Sequence, residues 1–253
     1  MDLWFLVLLL VVVQPLLGYY RFTRMTARPG PIPTARKLRL YAIVVASQWV
    51  LTAAAAWVLG RRGLELADLG LRGGPPPLAS VAAVLATLAV LGGTFISLRS
   101  LARQPGAVLP DHLAKVIRIM PASRLERACF AAVALTAGIC EEILYRGYLV
   151  YAFDRVLPSS WWSMALAALL FGVAHAYQGK QGIVATGLLG GFLGALYVAS
   201  GSLWPSIFLH AVVDLVNGYA LGPLGRAPRA AAPEPAPLAF DAPPPPTAYS
   251  GQP

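Results

Sequence analysis

The chain has 253 residues, 57% of them hydrophobic and only 12% charged, about half the charge of an ordinary soluble domain. With a mean hydropathy of +0.64, this composition excludes a water-soluble globular protein. It also excludes a nucleic-acid binder, because the net charge of +9 lies mainly between apolar runs, where it orients spans and meets anionic headgroups.

The predicted architecture is all-α: a polytopic transmembrane bundle of about seven spans. The first, Leu3–Tyr19, follows Met1-Asp2 with no basic n-region and no small-x-small cleavage site, so it reads as an uncleaved span and not a secretory signal. The second and third are Leu40–Leu59 and Leu78–Leu98. Between them "RGLELADLGLRGGPPP" reads as an amphipathic loop of no clear chemistry. Four more apolar runs follow: Ala128–Val150, Ser160–Tyr177, Ile183–Ser200 and Leu203–Leu221. Each run is near the length that crosses roughly 30 Å of hydrocarbon. The tail is Ala- and Pro-rich with little to bury, and is expected to be disordered or polyproline-like. The chain thus divides into a three-span region (1–127), a four-span core (128–222) and a tail (223–253).

Charge orients the bundle. Arg21, Arg24, Arg28, Arg36, Lys37 and Arg39 follow the first span, and Arg99, Arg103, Lys115, Arg118, Arg124 and Arg127 follow the third. Lys180, Arg226 and Arg229 share their side, against Arg61, Arg62, Arg72 and Arg155 opposite. The basic side is expected in the cytoplasm, with the N-terminus outside and the C-terminus inside. The Ala/Arg/Pro-rich composition points to a bacterial inner (cell) membrane. Trp161 and Trp162 read as interfacial anchors, and Gly187, Gly190, Gly191 and Gly194 as close-packing positions. Cys129 and Cys140 are eleven residues apart on one helix, about 16 Å, too far for a disulfide. They read as small core residues.

The chemistry is expected where polar groups stand in apolar helices, each at a cost of roughly 2.5–3.5 kcal/mol on insertion scales. Six ionisable side chains fall in the last four spans: Glu141, Glu142 and Arg146, then His175, then His210 and Asp214. Glu142 and Arg146 are four apart and can pair on one face, as can His210 and Asp214. Phe171 stands one turn before His175. Glu141, rotated about 100° from Glu142, has no such partner on its own helix. It lies seventeen residues before Pro158 and His175 seventeen after, so the two share a depth across an antiparallel hairpin. His210 reaches that level only if this hairpin projects about 10 Å beyond the next one. A carboxylate and two imidazoles around one cavity suit either activation of water or ligation of zinc.

In order and spacing these motifs, EExxxR from Glu141 to Arg146, FxxxH from Phe171 to His175 and HxxxD from His210 to Asp214, resemble the CAAX-protease and bacteriocin-processing family of intramembrane proteases. The resemblance covers about Ala128 to Gly222. It implies an intramembrane endopeptidase that cuts a peptide or protein substrate, free or membrane-bound, near the cytoplasmic membrane face. It further implies Glu141 as water-activating base assisted by His175, His210 and Asp214 as the oxyanion pair, and Glu142, Arg146 and Phe171 as support. No cofactor is required on that reading. The alternative is a zinc site made of Glu141, His175 and His210. The eukaryotic relatives typically carry Asn at the position of Asp214, and an ionised Asp cannot donate to an oxyanion. A non-proteolytic scaffold or immunity protein is the other functional reading, and a proton-coupled transporter fits less well because no inverted repeat is evident.

Overall fold

A computed structural model describes residues 2–74, 77–102 and 110–222, among which all regular structure is helical. Eight helices run in chain order: α1 (Leu3–Thr26), α2 (Thr34–Gly60), α3 (Pro77–Ala102), α4 (Asp111–Ile119), α5 (Arg124–Phe153), α6 (Ser160–Ala174), α7 (Gly179–Ser200) and α8 (Trp204–Leu221). Two of them contain π-helical stretches, Leu9–Val13 in α1 and Glu142–Leu149 in α5. Short 3₁₀ turns occupy Leu66–Leu69 and Ala176–Gln178.

Each predicted apolar run is largely helical, but among the described residues four segments are long and apolar enough to cross a membrane: α1, α2, α5 and Ala176–Ser200. The apolar part of α3, Pro77–Gly93, and α6 are shorter. In α8, His210, Asp214 and Asn217 dilute the apolar character of 18 residues. The polar groups that make the site interesting are thus what blunts its helix as a span. The expected tail, 223–253, lies outside the described residues.

Small residues let the helices close. A Cβ on Gly172 of α6 would stand 2.6 Å from the Ile183 carbonyl oxygen and 3.0 Å from Gly187 Cα, so these backbones touch. A Cβ on Gly138 of α5 would stand 2.7 Å from Ala211 Cβ, which brings α8 directly against α5. Gly194 makes room for Met164, and Gly190 for Arg146 and Phe171. Gly191, expected to pack closely, instead faces open space, with nothing within 4 Å of where a Cβ would stand.

Three segments taken as loops have structure. The basic stretch after α3 contains the amphipathic α4, whose Arg118 donates to the carbonyls of Thr26 (3.1 Å) and Arg28 (2.5 Å) and so ties it to the end of α1. Lys37, counted with the solvent-facing loop cations, lies inside α2 and is buried. Its ammonium donates to Met120 O (2.8 Å) and Glu126 Oε2 (3.2 Å), while Thr34 and the Ala122 N–H also bond Glu126. Glu126 closes the capping box of α5 with Ser123, so one buried carboxylate joins α2 to the start of α5. The loop after α2 folds its 3₁₀ turn against the site helix: Leu69 fills the space above Gly147, and Gly70 (φ +93°) accepts from Leu203 N at 2.9 Å. There the Glu65 N–H donating to Asp68, and after it the pair with Arg72, hold the Asp68 carboxyl below the ordinary carboxylate pKa.

Candidate active site

The C-terminal half of α5 unwinds into a π-helix from Glu142 to Leu149, where a regular α-helix was expected. Such wide turns cost hydrogen-bond geometry and recur at functional sites. All eight residues of the stretch are buried, including Glu142 (0% exposed) and Arg146 (1%). Arg146 Nη1 donates to Glu142 Oε1 at 2.8 Å and Nη2 to the Gly190 carbonyl at 3.1 Å. Its guanidinium carbon lies 4.4 Å from the centre of the Phe171 ring. The predicted pair is therefore real and fully enclosed, and it joins α5, α6 and α7.

The same carboxylate does more than neutralise the arginine. His210 Nδ1 lies 2.7 Å from Glu142 Oε1, so the ring donates there and turns Nε2 the other way. Nε2 lies 3.7 Å from Glu141 Oε2 and 3.7 Å from Asp214 Oδ2. Sequence reasoning paired His210 with Asp214 alone, because both are on α8; the contact to Glu142 spans 68 residues and is invisible to helical spacing. The close approach of Gly138 to Ala211 is what brings α8 within reach.

His175 is the residue at which α6 stops. The expected span ran to Tyr177, but the helix ends at Ala174 and the chain turns through the 3₁₀ segment Ala176–Gln178. His175 Nδ1 contacts the Phe171 carbonyl (2.8 Å), and its ring packs tilted at 4.6 Å against Phe171, which also meets His210 edge-on at 5.7 Å. Phe171 thus separates and orients both imidazoles. Glu141, His175, His210 and Asp214 all line one cavity of about 410 Å³, shared with Gln48, Tyr177 and Asn217 at its polar part and with apolar residues of α2, α4 and α5 elsewhere.

Sequence reasoning missed Gln48. Its Nε2 donates to Glu141 Oε1 at 2.6 Å from within α2. Its signal in the sequence is a neutral amide inside a largely apolar run, weaker than the ionisable groups that mark the other site residues. Glu141 Oε2 is buried and accepts no hydrogen bond from any of the described residues. Among the described residues no group of three or more His, Cys, Asp or Glu is arranged to hold a metal ion. Each imidazole also has one nitrogen engaged, His210 by Glu142 and His175 by the Phe171 carbonyl.

Together these features define an all-helical, membrane-type protein whose apolar helices enclose a carboxylate–imidazole centre. Residues 124–216 match the family described as type II CAAX prenyl endopeptidase, Rce1-like. That segment holds Glu141, Glu142, Arg146, Phe171, His175, His210 and Asp214, while Gln48 and Asn217 of the same cavity lie outside it, and the family it resembles is one of proteases. No match is found among curated proteins, and none among solved structures.

Proposed function

We propose that the chain is an intramembrane endopeptidase in which Glu141 activates water. The observation that carries this is the buried, unpartnered Glu141 Oε2, 3.7 Å from His210 Nε2 at the polar part of a largely apolar cavity. Oε2 takes a proton from water as the water oxygen bonds to the scissile carbonyl carbon. His175, on the same cavity wall, orients that water. The oxyanion then accepts from His210 Nε2–H, whose ring is held by Nδ1–H donating to Glu142. The proton on Glu141 passes to the amide nitrogen as the C–N bond breaks, releasing an acid and an amine. Asp214 stands opposite the same ring edge as a counter-charge, and only its protonated form could itself donate to the oxyanion.

The substrate proposed is a peptide or protein segment near the cytoplasmic face of a bacterial inner membrane, with the N-terminus outside and the C-terminus within. The matched family's description makes a prenylated peptide ending in Cys-aliphatic-aliphatic-X the first probe to use. The test compares cells expressing wild type or Glu141→Gln by mass spectrometry of protein termini, with a fluorogenic farnesylated peptide as the purified-protein assay. New termini with wild type alone are expected, and cleavage should survive chelators. Equal termini from both proteins, at equal abundance and equal thermal stability, would sink the proteolytic reading in favour of a scaffold. Cleavage lost to chelator and restored by zinc would move Glu141, His175 and His210 into a metal site.

A further inference from the structure

The family-matched segment begins at residue 124, yet the oxygen of Glu141 that faces away from His210 is held by a residue outside it. Gln48 lies in the middle of α2, is 7% exposed, and donates from Nε2 to Glu141 Oε1 at 2.6 Å. Its own Oε1 is buried without a partner among the described residues. A buried amide with one arm unused costs stability, so α2 carries a group that packing alone would replace by Leu.

Its position separates two spaces. On one side lies the cavity containing His175, His210 and Asp214; on the other is a smaller one of about 160 Å³ between α1, α2, α5 and α6, with Leu10, Gln14 and Leu51 in its wall. Gln48, Glu141, His175 and Tyr177 border both. Without a donor on Oε1, the Glu141 carboxylate could rotate about its terminal torsion and point either oxygen at either space.

We propose that Gln48 is the positioning residue of Glu141: it anchors Oε1 so that Oε2 faces His210 and the reacting water. The N-terminal region, through α2, thereby contributes one polar group to the centre housed in the family-matched segment. This rests on the proteolytic reading for its consequence in turnover, while the contact itself can be tested apart from it.

The closing experiment uses the full chain in liposomes, as wild type, Glu141→Gln, Gln48→Leu and Gln48→Glu. The infrared difference between wild type and Glu141→Gln isolates the carboxylate stretch of Glu141. That band is expected to shift in Gln48→Leu, which removes the donor while preserving shape, and an unshifted band overturns the proposal whether or not the protein cleaves. On the fluorogenic farnesylated peptide, Gln48→Leu should lower kcat about 10- to 100-fold, as displacement of a catalytic group does, with KM unchanged. Gln48→Glu places two carboxylates that repel each other when both are ionised, so its activity should fall at higher pH and return towards acid pH, where one shared proton restores a donor. A purely structural glutamine predicts no such acid recovery, and wild-type kcat in Gln48→Leu refutes the positioning role. Wild type no more active than Glu141→Gln on every substrate found would instead count against the protease reading, leaving the infrared result to decide the contact.

Discussion

Replacing Arg146 by Met tests the buried clamp at its centre. The substitution keeps an unbranched side chain of similar reach but removes the charge that faces Glu142 at 2.8 Å, the donor to Gly190 O and the contact with the Phe171 ring. Glu142, 0% exposed, is then left with His210 as its one remaining partner. Breaking one side of a buried pair costs about 3–5 kcal/mol, because the surviving charge is unhydrated and loses its permanent counter-charge. At this chain length that is a fall in Tm of roughly 6–20 °C. The companion variant, Arg146→Met with Glu142→Gln, removes the stranded charge and keeps an oxygen for His210 Nδ1–H. It should regain roughly half or more of the loss, since replacing both members of a buried pair is often near neutral. Thermal unfolding of the purified protein in one detergent, followed by tryptophan fluorescence, measures both. A single variant within about 1 kcal/mol of wild type, the value of an exposed pair, would refute the enclosed clamp. A double variant no better than the single would show that the loss is packing and not charge.

Two glycines of similar sequence context should respond in opposite directions to one added methyl. Gly138→Ala drives a Cβ to within 2.7 Å of Ala211 Cβ and 2.9 Å of the Ile207 carbonyl, so it should cost about 1–3 kcal/mol and weaken turnover by moving His210. Gly191→Ala meets nothing within 4 Å in mid-helix and should stabilise by about 0.5–1 kcal/mol, as Ala does over Gly; the same melting assay reads both. The turn at Leu66–Leu69 should loosen in acid. The Glu65 backbone N–H first, and Arg72 with it, hold Asp68 below the ordinary carboxylate pKa, so its contribution is present above that ordinary value and is lost as pH falls through the depressed one. Hydrogen exchange at Leu69 to Leu71 should rise over that acid range, and Asp68→Asn should remove the dependence.

The sequence by itself determined the class and the helical runs, and it singled out residues that the fold brings to one cavity, because each is written in local spacing. An apolar run of membrane length is helical wherever it sits, and Glu142 with Arg146 are neighbours on any helix of that pitch. Family motifs in order located Glu141, Phe171, His175, His210 and Asp214 without any knowledge of packing. Periodicity also has a reach of about one or two turns, and everything beyond it was decided by the tertiary structure. That His210 Nδ1 bonds Glu142 rather than turning towards Asp214 depends on how closely Gly138 lets α8 approach α5. That Lys37 is a buried partner of Glu126 and not a loop cation depends on where α2 meets the start of α5. The same holds for Gln48, a neutral side chain whose meaning comes entirely from the carboxylate facing it across two helices. Glu141 was legible as the acid without a local partner; only the fold supplied what holds one of its oxygens and leaves the other free.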